Sequence, residues 1–374
     1  MNFNLTEEQN MLKDSIARFV ADDYDIDARQ QNAGSEQGFN RDVWSKFAEL
    51  GWLSVPFAEE FGGFGGSAVD SMVVMEEFGK GLVVEPYLST VLLFGGLLSN
   101  SGNRALQDTL IEKIIGGEML GAFAYHERQS RFELHDVQTV AKKTADGFTL
   151  SGEKTVVFNG AIADKIIVSA RTSGARLDSH GISLFLVDAN VEGSEKTAYR
   201  MMDGRLVANI NLTDVAVVAD QLLGELDKGL DLMQQVVNDA TVTLSAEALG
   251  IMQKLNATTV EYTKTREQFG VPIGSFQALQ HRMVDMFTAC EQTRSLLYRA
   301  VCSIDADAAE QGNDEVLKNI HALKVMVGRA GKLIGGEAIQ LHGGMGMTDE
   351  LNVGHYVKRL MMINTTFGDA DYHL

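Results

Sequence analysis

A chain of 374 residues is long enough for two or three domains with a sizeable core, and 45% hydrophobic with 22% charged residues is an ordinary globular balance. A formal net charge of −19 with no Lys/Arg block argues against a nucleic-acid binder and fits a soluble protein that repels its own copies. Two cysteines, Cys290 and Cys302, argue against a disulfide framework, and the longest apolar run, 90–98, is far short of the roughly 20 residues of a membrane span. The opening residues Met1–Asn10 are polar and show no signal-peptide pattern, so the expected location is cytoplasmic.

The chain opens with a helix signal. Thr6 stands before acidic Glu7 and Glu8, and Leu12, Ile16, Phe19 and Val20 recur at helical spacing. A second helix is predicted in NRDVWSKFAELGWL, with Gly51 as its stop, and a third in SMVVMEEFGKGL. Between them FAEEFGGFGGSA, 57–68, is a glycine-rich loop without the Lys-Ser/Thr of a nucleotide loop, so it reads as structural. More helix is expected from 86 to 116. The texture changes near 120: QTVAKKTADGFTLSGEKTVVFNGAIADKIIVSART has β-branched runs and turns at Asp146-Gly147 and Asn159-Gly160, and strands continue in ISLFLVDA and ANINLTDVAVV. From 226 to 362 the pattern is helical again. One periodic stretch of about ten turns stops at Gly270, a second long helix runs through 312, a third begins at Asn313, and a short last one covers about 350–364. The fold class is therefore α+β: an N-terminal helical domain (1–119), a middle β-barrel or sandwich (120–224) and a C-terminal four-helix bundle domain (225–374).

This order, with FAELGWLSVPFAEEFGGFGG, GFTLSGEKTVVFNGAIADKIIVSART, REQFGVPIGSFQALQHRMVDM and EAIQLHGGMGMTDE in their places, resembles the acyl-CoA dehydrogenase family over nearly the whole chain. The resemblance implies an FAD enzyme that removes the α-proton of an acyl-CoA with a carboxylate while the β-hydride goes to the flavin. It also implies an electron-transfer flavoprotein as acceptor, and a tetramer in which each FAD is bound across a subunit boundary.

By that resemblance Arg266, Phe269 and Gln277 match cofactor positions, a guanidinium being suited to a pyrophosphate and an amide to the adenosine part. Gln340, Gly343, Gly344 and Gly346 match the glycine turn that serves a neighbouring subunit's flavin, where backbone N–H groups approach a phosphate. The middle domain departs from the family. The stretch AYHERQSRFEL keeps Glu127 but lacks the family's proline; Ser130 and Arg131 are either ligand contacts or part of a solvated loop. The strand that normally carries Trp and Thr against the flavin reads Val156-Val157-Phe158-Asn159. No Cys/His spacing suggests a metal, His342 and His355 included, and no nucleophilic serine motif occurs.

The end of the chain departs further. The usual catalytic Glu position falls on Gly368, with Phe367 before it, and the alternative base position on the long helix reads Ala240-Thr241. Asp369, one residue away, and Glu247, roughly 10 Å along the helix, remain as weak candidates, since an ångström of misplacement can cost about 10²-fold. Asp369 and Asp371 read better as solvated or N-capping acids. Groups that serve a neighbour's FAD are kept and those for the chain's own base are eroded. The expectation is a subunit of a hetero-oligomer with a paralogous acyl-CoA dehydrogenase, its ending FGDADYHL resembling the small or partner subunits of heteromeric members. The alternatives are a self-sufficient homotetramer with a relocated carboxylate, different chemistry on the same fold, or a non-catalytic assembly subunit.

Overall fold

The computed structural model describes residues 4–305 and 313–374. The expected end of the second long helix, 306–312, lies outside the described residues. The chain divides into two compact units, one of residues 1–31, 67–83 and 241–374, the other of residues 32–66 and 84–240.

In the first unit, α1 (Glu7–Asp22) starts on a capping box: Thr6 Oγ1 accepts from Gln9 N–H while Gln9 returns a bond to the Thr6 backbone. Helix α4 (Ala68–Gly81) begins on Ser67, which pairs with Asp70 in the same way. The long helix α7 (Gly229–Thr265) begins in the second unit and continues into the first. It ends at Thr265, short of Gly270, because Glu267–Gln268 pair with Val271–Pro272 in a small hairpin. Helices α8 (Gln277–Asp305), α9 (Asn313–His342) and α10 (Val353–Thr365) complete the bundle, and one further turn, α11 (Ala370–His373), follows.

Two glycines bring α4 and α7 together. A Cβ on Gly79 would lie 2.1 Å from the Glu247 carbonyl oxygen, and one on Gly250 would lie 1.9 Å from that of Glu76. The helices therefore cross backbone against backbone, and no side chain fits at either position.

The second unit holds α2's last residues (α2, Ile26–Gly34), α3 (Arg41–Glu49), α5 (Gly95–Ser99) and α6 (Arg104–Ile115). The helix expected over 86–116 comes in pieces: Tyr87–Phe94 winds as a wide helix, Gly95 N–H bonding back to Thr90 O, then Gly95–Ser99 and, after a break at 100–103, Arg104–Ile115. Among the described residues the sheet has eight strands: β1 (Gly121–Ala124), β2 (Val140–Lys143), β3 (Gly147–Phe158), β4 (Lys165–Arg171), β5 (Ile182–Asp188), β6 (Ser194–Arg200), β7 (Leu206–Val218) and β8 (Leu222–Leu223). Their order is β6-β7-β3-β2-β4-β5-β8, with β1 parallel to β4. Leu150, Ile166, Phe185, Ile210 and Val215 fill the core beneath it.

Glu127 and Lys154 form a closed polar centre in this core. Lys154 is fully buried and gives Nζ to Glu127 Oε1 at 2.7 Å and to Ser169 Oγ at 3.0 Å. The carboxylate also accepts from Thr139 N–H and O–H, Gln138 N–H and Gln129 Nε2. Burial works to raise the Glu127 pKa, but the Lys154 charge and these donors hold it down at about 2. This carboxylate ties β1, β2 and β3. Its contribution is complete above the unfolded carboxylate value of about 4.3 and is lost as pH falls toward 2. Lys154→Met is expected to cost about 3–5 kcal/mol in urea unfolding of the full chain, and Glu127→Leu added to it to recover much of that loss.

Candidate active and cofactor site

The cofactor positions predicted from sequence lie at one end of the bundle unit. Arg266 follows α7 directly, its N–H bonding Tyr262 O and its carbonyl receiving Ile273 N–H, so the guanidinium leaves an ordered turn. It is exposed and has no ion pair among the described residues. Phe269 is 93% exposed, held at φ +58°, and packs edge-on against Phe276 at 6.2 Å. Gln277 opens α8 beside Phe276, also exposed. An aromatic ring almost wholly in water next to an unpaired cation is a surface made to be covered.

Gln340 is exposed on the last turn of α9, and Gly343 and Gly344 follow in the turn after it. Gly343 needs its freedom at φ +59°. Gly344 does not: a Cβ there would meet nothing within 4 Å, so nothing in this chain requires the glycine. Its bare backbone suits close approach from outside. Gly346 is different, being buried with a Cβ position 2.9 Å from Ile339 O.

Tyr262, which sequence reasoning passed over, and His342, weighed there only as a metal ligand, join these ends. Tyr262 stacks on His342 with centroids 4.3 Å apart, and its hydroxyl donates to His342 O at 3.3 Å. His342 Nδ1 donates to Ala338 O, which fixes the ring. The pair stands one turn before Arg266 and one residue before Gly343, and it lines an open groove of about 450 Å³ with Lys254 and Glu261.

The middle-domain stretch departs from both readings of Ser130, and Glu127 is structural. Glu127 is not available to a ligand, since Lys154 and four other donors hold it. Ser130 is buried, its Oγ donating to Glu127 O and accepting from Glu127 N–H, so it closes a turn rather than sitting in a solvated loop. Arg131 is exposed and its guanidinium lies over Phe132 at 5.4 Å. Val156 sits at a β-bulge with φ +54°, a strained conformation for a β-branched residue. Phe158 is partly buried, and Asn159, at φ +54°, accepts from Ser89 Oγ.

The two candidate acids, Glu247 and Asp369, are both committed elsewhere. Glu247 and Arg359 are fully buried, with Arg359 Nε and Nη2 donating to the two carboxylate oxygens at 2.7 Å each. Asp369 accepts Tyr372 N–H at 2.9 Å as the N-cap of α11. Asp371 lies in the first turn of that helix and is exposed. Ala240 and Thr241 are buried. Gly368 has φ +109°, and its carbonyl accepts from Lys324 Nζ. Among the described residues no three His, Cys, Asp or Glu side chains gather as a metal site.

Three family models match in succession: the acyl-CoA dehydrogenase N-terminal domain over residues 6–118, the middle domain over 122–215 and the C-terminal domain over 227–374. The chain belongs to the acyl-CoA dehydrogenase family, whose enzymes are FAD-dependent oxidoreductases. It is 29% identical to a probable acyl-CoA dehydrogenase, YngJ, of Bacillus subtilis (strain 168), over 99% of this chain and 97% of that one. Among solved structures it resembles the FAD complex of PigA, with a TM-score of 0.90, 28% identity and coverage of 100% of this chain and 97% of that one. It also resembles the ChsE4–ChsE5 complex from Mycobacterium tuberculosis, with a TM-score of 0.89, 26% identity and coverage of 100% and 96%.

Glu247→Gln leaves Arg359 buried with a weakened partner, so the expected outcome is a loss of about 3–5 kcal/mol of stability. A variant that keeps wild-type stability but loses substrate-dependent bleaching would instead make Glu247 the base.

Proposed function

We propose that this chain is an FAD-dependent acyl-CoA dehydrogenase subunit that works in a hetero-oligomer with a catalytic paralogue. It completes the partner's cofactor site and contributes no base of its own. One contrast carries the reading: Arg266, Phe269, Gln277, Gln340, Gly343 and Gly344 are exposed, whereas the base position is Gly368 and the nearby acids are a salt-bridge partner and a helix cap. The resemblance to the ChsE4–ChsE5 complex supports it.

The residues present fit FAD. Arg266 would fork onto the pyrophosphate, the Gly343-Gly344 backbone would approach it closely, Phe269 would cover an apolar edge, and Gln277 and Gln340 would bond polar edges. When bound, FAD supplies the hydride acceptor for α,β-dehydrogenation of an acyl-CoA thioester. What this chain adds is orientation and exclusion of water, because the exposed Phe269 ring is desolvated only when another surface covers it. The α-proton would be taken by a carboxylate of the paralogue. An electron-transfer flavoprotein as acceptor and a cytoplasmic location belong to the same reading, the two free cysteines fitting a reducing compartment.

The competing homomeric reading needs Asp369 or Glu247 as base. Asn caps a helix as well as Asp does, so Asp369→Asn should leave folding unchanged and separates the two. Unchanged flavin bleaching by acyl-CoA is expected; its loss would favour the homomeric enzyme. The flavin content of the chain expressed alone should be near zero and rise to about one per two chains on co-expression with a catalytic paralogue, and Arg266→Ala should abolish that rise. One flavin per chain in the isolated protein would overturn the half-site reading.

A further inference from the structure

A missing catalytic acid leaves a vacancy only if the space for it is still there. At position 368 it is not. A Cβ on Gly368 would lie 2.5 Å from Tyr372 Cδ1 and 2.5 Å from His373 Nε2. Real Cβ atoms do not approach that closely, and φ +109° is open to glycine alone without strain. The rings that fill this space belong to α11, the last turn of the chain.

The turn is fixed from four sides. Lys324 on α9 is fully buried and gives its three donors to Ile363 O at 2.9 Å, Asn364 O at 2.9 Å and Gly368 O at 2.5 Å. Three carbonyls match the three N–H bonds of an ammonium, and two of them close the C-terminus of α10, whose dipole favours a cation. Asp369 caps α11. His373 Nε2 donates to Phe367 O at 2.9 Å, and its Nδ1 faces His321 Nδ1 at 2.7 Å, so the two rings share one proton. Finally α9 carries Gly328 where the segment lands: a Cβ there would lie 2.3 Å from Asn364 Oδ1 and 2.8 Å from Ala370 Cβ. The segment is therefore seated on backbone, held by a buried charge and closed by a histidine pair.

We propose that Phe367–Leu374 is a seal at this chain's own base position, anchored on α9 by Lys324, His321 and Gly328, which leaves no room for a side chain at position 368 unless the Tyr372 and His373 rings are displaced. The inference deepens the half-site reading above and rests on it for its meaning. The chain's own site is closed by packing as well as by lacking an acid.

Two titrations of opposite sense act on the seal: burial lowers Lys324 to about 7, with Asp369 working against that, so its three-donor ammonium is the form present below that pH, while the histidine pair needs neutral rings. Burial lowers His373 to about 4, against the pull of the Phe367 carbonyl and Asp369 and with the push of Lys324 and His321; burial also lowers His321. Both rings are thus neutral in the folded chain, and the pair's contribution is complete above the ordinary histidine value of about 6.5 and is lost as pH falls toward 4.

The test uses the full chain and needs neither flavin nor partner, so its failure and that of the half-site reading are separable. Hydrogen–deuterium exchange is followed for the C-terminal segment in wild type and Lys324→Met, together with thermal midpoints for a cycle of Gly368→Ala with Tyr372→Ala/His373→Ala. The expected result is protection of the segment in wild type, about tenfold or more of it lost in Lys324→Met with α8 unaffected. Gly368→Ala should lower the midpoint by about 3–6 °C, and by markedly less once the two rings are removed. A segment that exchanges freely in wild type, or a Gly368→Ala shift that is the same with and without the rings, would overturn the proposal. In the second case the penalty belongs to the backbone angle alone.

Discussion

The crossing of α4 and α7 at Gly79 and Gly250 sets the geometry of the bundle unit. With backbone against backbone there, α7 has one position and one rotation, and the Glu247 side chain is committed to the interior. A carboxylate buried in apolar surroundings must find a cation. Arg359 supplies it with two bonds, and this fixes α10 on which it rides. The end of α10 then presents the carbonyls of Ile363 and Asn364 to Lys324, and the same ammonium reaches Gly368. One helix contact is in this way carried to the final turn through polar groups that are each satisfied by the next.

The same unit shows two opposite kinds of surface. At the Arg266 end a cation, an aromatic ring and a bare glycine backbone are left uncovered, although nothing in the chain needs them so. At the Gly368 end the Lys324 ammonium, the Asp369 carboxylate and the His373 ring each have a partner, and the Tyr372 and His373 rings crowd the glycine. Exposure without internal cause points to function between chains, and closure without vacancy points away from chemistry within one. The reading as a partner subunit rests on that asymmetry more than on any single residue.

Much of the fold is legible in the amino-acid sequence because the helices are long and amphipathic and most strands alternate or run apolar. The capped start at Thr6 and the strands β3, β4, β5 and β7 follow directly from their patterns. Strand β6 does not, since most of its residues are exposed and Ser194–Arg200 has no apolar alternation to read. The hairpin that ends α7 early is set by a backbone pairing of two residues each, below what periodicity resolves. The outward residues of the candidate site were found through motif spacing, whereas Tyr262 and His342 form a stack between two helix ends, which no local pattern encodes. Glu127 was legible as a carboxylate but not as a structural one, because its partner Lys154 lies on another strand. A glycine at position 368 is plain in the sequence; the packing around it depends on Lys324 and Gly328, some forty residues earlier.

The packing around Gly368 has an evolutionary consequence. An acid at a glycine position is ordinarily one or two base changes away. Here the Tyr372 and His373 rings stand where its Cβ would go, and Gly328 seats the turn that carries them. A reversal would require several changes together, each unfavourable until the others are made. On the half-site reading proposed above, packing of this kind would act as a ratchet, holding the chain to its dependence on a competent paralogue.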